Sequence, residues 1–94
     1  MTDVIDQLFT LILDRRDNPR DGSYTNRLLD AGLDEVLKKI GEESVEVILA
    51  AKGQGDERLV SELADLAYHC LVLLAASGLS PTDVQHELER RFKA

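Results

Sequence analysis

The chain has 94 residues, 44% hydrophobic and 31% charged, which suits one folded domain over residues 1–94 and excludes a multidomain enzyme. Eleven Lys and Arg against eighteen Asp and Glu leave a formal net charge of −7, a field that repels nucleic acid and anionic lipid. A phosphate-bearing ligand is admissible only if something reverses that sign locally. The first expected element is a helix on which Val4, Ile5, Leu8, Phe9, Leu11, Ile12 and Leu13 recur at helical spacing, capped by Thr2 or Asp3 and running to about Arg15. Residues 16–25, rich in Asn, Pro, Gly and Asp, read as an irregular loop of a length that usually serves function. Thr25–Asp30 then reads as a helical turn ended near Gly32.

A long helix follows from about Asp34 to Lys52, striped by Val36, Leu37, Ile40, Val47 and Ile48 and interrupted only by Gly41. Gly53-Gln54-Gly55 breaks the pattern, Asp56 offers an N-cap, and the next helix runs to Ser77 with Gly78 closing it. Ser80 and Pro81 start a last helix through Val84, Leu88 and Phe92. No strand pattern is present, so the expected fold is all-α, a four-helix bundle around a central antiparallel hairpin. Between Leu63 and Ala76 the chain is apolar on most of its circumference, more than so small a bundle can cover, and a homodimer is the simplest closed answer. That stretch is interrupted by Asp65 and His69 and is too short to span a bilayer.

Cys70 stands alone, so it forms no intramolecular disulfide, and one Cys with two His makes no ordinary structural zinc site. A lone thiol and acids at the N-terminus, where a targeting peptide carries positive charge, point to a cytoplasmic protein.

Two acidic pairs carry the chemistry. Glu43 with Glu46, and Glu62 with Asp65, each have i,i+3 spacing, which puts both carboxylates on one helix face. Glu46 and Glu62 stand eight residues either side of Gln54, and Glu43 and Asp65 stand eleven, so an antiparallel hairpin turning there brings four carboxylates onto one patch. Glu42 adds a fifth acid; without these five the formal charge falls from −7 to −2. Massed carboxylates beside apolar neighbours are unfavourable unless a cation sits among them, and an all-oxygen set suits Mg2+ or Mn2+ better than Zn2+. The alternative is a solvated acidic face, with Lys38 and Lys39 forming ordinary ion pairs to Glu42 and Glu43.

The run Lys38-Lys39-Ile40-Gly41-Glu42-Glu43-Ser44-Val45-Glu46, followed by Glu62-Leu63-Ala64-Asp65, resembles the two-helix signature of the all-α MazG-like nucleotide pyrophosphohydrolases. Within that superfamily, Ser23-Tyr24-Thr25, the Lys-Lys-Ile-Gly-Glu-Glu run and Asp65-Leu66-Ala67-Tyr68-His69 are similar to the phosphoribosyl-ATP pyrophosphatase family, over roughly residues 4 to 92. Ser44 stands where Ala is common and Ala67 where Leu is common.

The resemblance implies Mg2+-dependent hydrolysis of phosphoribosyl-ATP to phosphoribosyl-AMP and pyrophosphate, the second step of histidine biosynthesis. It implies Glu43, Glu46, Glu62 and Asp65 as metal ligands and Glu42 or Glu43 as the base. Lys39, one turn before Glu43, is the foremost candidate for a phosphate contact, followed by Lys38 and Lys52. Ser23, Tyr24 and Thr25 serve either the substrate or the capping of the loop, and Arg16, Arg20 and Arg27 flank that loop as candidates for the ribosyl phosphate. His69 reads as a hydrogen-bonded core residue or as a neighbour of the metal face, Tyr68 as packing, and Cys70 as a buried small hydrophobe. Two rival readings are a house-cleaning nucleoside triphosphate pyrophosphohydrolase of the same superfamily and a non-catalytic acidic helical dimer that binds a partner protein.

Overall fold

The computed structural model describes residues 3–93, and among them every regular element is a helix. There are five: α1 (Val4–Asp17), α2 (Tyr24–Ala31), α3 (Leu33–Gly53), α4 (Asp56–Ala76) and α5 (Pro81–Phe92). The all-α bundle is as expected, but the helical turn after the loop is a complete eight-residue helix. Its start is defined by Ser23, whose hydroxyl accepts the Asn26 N–H at 3.2 Å. Asp3 caps α1 by accepting the Asp6 N–H at 2.9 Å, while Thr2 lies outside the described residues.

Buried Asn26 narrows the expected loop. Its side-chain amide donates to the Arg15 carbonyl at 2.7 Å and accepts the Arg20 N–H at 3.0 Å. One side chain thus latches the end of α1, the loop and the start of α2 together, and α1 continues two residues past Arg15 to Asp17.

Helices α3 and α4 form the most extensive contact of any helix pair. Only Gln54 and Gly55 separate them, and Gly55, at φ +89°, takes the N-cap position expected of Asp56. A left-handed conformation there is open to Gly and costly to a residue with a Cβ. The other end of α4 closes in a Schellman motif, with Leu79 N–H donating to Leu74 O at 2.8 Å and Gly78, at φ +72°, donating to Ala75 O. Asp83 reaches back to accept the Ser80 N–H at 2.9 Å at the start of α5.

The core comprises Phe9 and Ile12 of α1, Leu28 of α2, Val36 of α3, and Leu71, Val72 and Ala75 of α4. It lies where α1 and α2 cross the start of α3 and the end of α4. Away from it, towards the hairpin turn, Val45, Ile48, Leu49, Val60 and Leu63 are exposed, and α5 buries no residue. A Cβ placed on Gly41 meets nothing within 4 Å, so within one chain this mid-helix Gly has no steric reason to be there.

Helix α4 as a whole, 21 residues and so longer than the Leu63–Ala76 stretch, is long and apolar enough to cross a membrane by length and composition. It packs against α3 and carries two buried polar residues, Glu62 and His69.

Candidate active site

The two-residue turn sets the register of the hairpin and therefore which side chains meet across it. On α3 and α4 one carboxylate oxygen each from Glu43, Glu62 and Asp65 lies within 4.8 Å of the others. Glu46, exposed one turn further along α3, is not in that group, but it acts on Glu62 and presses its charge on Glu43. Three of the four residues expected to converge lie in this group, and the fourth, Glu46, is exposed beside it. Glu42, one position before Glu43 and about 100° round the helix, is exposed and is not among the groups acting on either buried carboxyl.

Burial within this group is uneven. Glu62 is 3% exposed, Glu43 half-buried and Asp65 open to solvent. Arg58, one turn earlier on α4, pairs with Glu62 Oε1 at 3.0 Å. Among the described residues no donor reaches Glu62 Oε2 or Glu43 Oε2, both of which are buried. The shared hydrogen bond with Glu46, followed by burial and the Glu46 charge, pushes the Glu62 carboxyl up to about 7, against the opposing pull of Arg58. Glu43 is raised as well, first by burial and then by the charges of Glu46 and Asp65. The cluster thus resists full ionisation by itself and gains most from added positive charge.

Next to the carboxylates lies a polar contact between α2 and α4. His69, 5% exposed, has Nδ1 2.8 Å from the Asp65 carbonyl oxygen and Nε2 2.9 Å from the Tyr24 hydroxyl. Its Nδ1 is 4.0 Å from Glu43 Oε1, so it is both hydrogen-bonded within the bundle and adjacent to the acids. Thr25 Oγ1 bonds the Tyr68 hydroxyl, and the Tyr24 and Tyr68 rings stack with centroids 6.0 Å apart. The three hydroxyls read from the sequence as substrate or capping groups are therefore already bonded internally: Ser23 in the cap, Tyr24 to His69, Thr25 to Tyr68.

Lys39 is half-buried and lines a surface cavity of about 290 Å³ with Tyr24, Arg27, Leu28, Ala31 and Glu35. Arg27 sits over the Tyr24 ring, 5.4 Å from its centroid. Lys38 is exposed outside this cavity, and Lys52 lies in the last turn of α3 at the hairpin tip. Arg16 is engaged elsewhere, pairing with Asp17 at 2.9 Å and donating to Ala75 O at 3.2 Å, while Arg20 stays exposed in the loop. Two participants were missed from the sequence. Arg58 was detectable from its i,i+4 spacing to Glu62, whereas Asn26, in the first turn of α2, carried no signal.

Comparison with known proteins agrees with this geometry. The family profile described as phosphoribosyl-ATP pyrophosphohydrolase matches residues 5–92. A relative from Pelotomaculum thermopropionicum is 56% identical over 89 residues, covering 95% of this chain and 91% of its own. One from Clostridium botulinum is 51% identical over 88 residues (94% and 80%), and one from Sulfurisphaera tokodaii is 49% identical over 92 residues (98% of each chain). All three carry the name phosphoribosyl-ATP pyrophosphatase. With a carboxylate cluster on the hairpin and this likeness over nearly its whole length, the chain belongs to the phosphoribosyl-ATP pyrophosphohydrolase family.

Proposed function

We propose that this chain hydrolyses phosphoribosyl-ATP to phosphoribosyl-AMP and pyrophosphate with Mg2+, for which Mn2+ can substitute, and so performs the second step of histidine biosynthesis. The observation that carries the reading is the pair of buried, partnerless carboxylate oxygens on Glu43 and Glu62. Such orphans are costly, and a hard divalent cation is the partner that an all-oxygen set accepts. Glu43, Glu46, Glu62 and Asp65 are the residues that would hold it. When bound, the cation supplies neutralising charge to the triphosphate and to the departing pyrophosphate.

The chain's own groups do the rest. Water adds its oxygen to phosphorus, the bond between the α- and β-phosphates breaks, and pyrophosphate leaves with the electron pair. Glu43 is the base in this reading, because, of the two carboxylates considered, it is the one that lies within the cluster. Exposed Glu42, the other carboxylate considered, lies off the cluster. Lys39 and Arg27 offer positive charge beside Tyr24, where phosphate oxygens beyond the carboxylates are accommodated.

We also read the chain as a homodimer. Its accessible surface is 6673 Å², against roughly 5,400 Å² for a compact monomer of this mass. Val45, Ile48, Leu49, Val60 and Leu63 make up an apolar face at the hairpin end that a second copy would cover. Cys70, half-buried and with its thiol pushed up by that burial, suits a reducing cytoplasm.

The test is pyrophosphate release from phosphoribosyl-ATP with and without Mg2+, alongside dUTP, dCTP and ATP. Mg2+-dependent release with strong preference for phosphoribosyl-ATP is expected. Equal rates on the ordinary triphosphates favour a house-cleaning enzyme, and no release from any of them favours a binding protein. Against the binding-protein reading stands the burial of Glu62, which a merely solvated acidic face does not require.

A further inference from the structure

Consecutive residues of α2, Tyr24 and Thr25, bond consecutive residues of α4, His69 and Tyr68, and this pair of rungs lies one turn from Asp65. The first rung fixes the direction of its hydrogen bonds. A carbonyl oxygen only accepts, so the 2.8 Å contact to Asp65 O places a proton on His69 Nδ1. In the neutral ring Nε2 is then a lone pair, and the Tyr24 hydroxyl, 2.9 Å away, must donate to it. The hydroxyl proton of Tyr24 is thereby committed, and only its oxygen lone pairs remain for a ligand. Stacking on Tyr68, the edge contact with His69 and the Arg27 guanidinium over the ring keep the side chain from turning away.

We propose that His69 is a positioning residue that makes Tyr24 a hydrogen-bond acceptor at the rim of the Lys39–Arg27 cavity, so that Tyr24 selects a donor on the nucleoside part of the substrate, such as a ribose hydroxyl, and not a phosphate oxygen. Phosphate oxygens, which only accept at neutral pH, fall to Lys39 and Arg27 in the same cavity. This division of labour rests on the functional reading above.

Three variants test it: Tyr24→Phe, which removes only the hydroxyl, His69→Asn, which keeps an amide donor near the δ position while removing Nε2, and the double variant. Steady-state kinetics on phosphoribosyl-ATP are paired with calorimetric binding of Mg2+-tripolyphosphate, a probe without nucleoside donors. Each single variant is expected to raise KM roughly three- to tenfold with kcat within about twofold, the loss of one net hydrogen bond common to ground and transition states. The double variant is expected to be no worse than the worse single one, because the two groups act as one unit. Tripolyphosphate affinity is expected to stay within twofold of wild type throughout.

Tripolyphosphate binding that weakens in Tyr24→Phe overturns the inference, since the hydroxyl then serves phosphate. KM effects that multiply in the double variant, or an unchanged KM in Tyr24→Phe, overturn it equally. Tyr24 is partly exposed, so Tyr24→Phe keeps these two readouts available even if His69→Asn fails to fold. A wild-type protein that releases no pyrophosphate from phosphoribosyl-ATP overturns the functional reading and this inference together, whereas normal wild-type turnover with any of the preceding results overturns the inference alone.

Discussion

Removing the metal should make this protein less stable as the pH rises through neutrality, the reverse of what a paired surface carboxylate produces. The perturbation is chelation of divalent ions, and the responsible group is Glu62. Its carboxyl is raised from an ordinary 4.5 to about 7 by the shared hydrogen bond with Glu46 and by burial. A carboxyl raised in the folded state favours folding at pH values below its unfolded pKa, and that advantage is lost as the pH climbs from 4.5 through 7. Between those values the folded carboxyl keeps its proton while the unfolded one has lost it, so unfolding releases a proton and the unfolding constant rises with pH. Glu43, also raised, adds in the same direction, whereas the lowered carboxyls of Asp17 and Glu87 act in acid, below their ordinary range. Denaturant unfolding in EDTA at pH 5, 6, 7 and 8, at one fixed protein concentration, reads this slope directly. Adding Mg2+ should reverse it, because the ligands bind the ion in their ionised form. Glu62→Gln should flatten the metal-free profile and leave that variant more stable than wild type at pH 8. A wild-type profile flat from pH 5 to 8 in EDTA, or a Glu62→Gln profile as steep as wild type, refutes the buried-carboxylate account.

Three further outcomes are expected. Glu46→Ala and Asp65→Ala should each abolish Mg2+-dependent pyrophosphate release while far-ultraviolet circular dichroism stays helical; near-normal turnover in either removes that residue from the ligand set. Asn26→Ala should cost about 1–3 kcal/mol in denaturant unfolding, because it strips the Arg15 carbonyl and the Arg20 N–H of their shared partner, and a change below about 0.5 kcal/mol would show that water replaces the latch. Ile48→Glu, on the exposed face of the hairpin, should shift sedimentation from dimer to monomer with no loss of helix in the folded chain; a wild type that already sediments as a monomer ends the dimer reading.

Helical periodicity, the position of Gln54 and the two i,i+3 acid pairs are properties of the one-dimensional string, and they were enough to read an all-α chain, its hairpin and the meeting of Glu43, Glu62 and Asp65. They suffice because a tight turn between two helices leaves almost no freedom of register, so equal distances from the turn become neighbours in space. Periodicity placed the surplus apolar surface on Leu63–Ala76, but the structure buries Leu71, Val72 and Ala75 of that stretch and exposes Val45, Ile48, Leu49, Val60 and Leu63 nearer the turn.

Burial and hydrogen-bond direction depended on the tertiary structure. Glu62 and Asp65 have the same spacing logic, yet the first is enclosed and the second open, because depth is set by which neighbours roof each side chain. Glu42 is indistinguishable from Glu43 in composition and differs only by about 100° of helix rotation, which turns it out to solvent. The hydroxyls of Ser23, Tyr24 and Thr25 looked free in the string, but each is satisfied by a partner that folding supplies: Asn26 close by, and His69 and Tyr68 more than forty residues away. Sequence alone therefore determined the four longer helices and which acids of the hairpin face one another, but not that the turn after the loop is a fifth helix. The packing of α2 on α4 decided which of those groups are buried, which lack a partner, and which way their protons point, since these depend on contacts between segments remote along the chain.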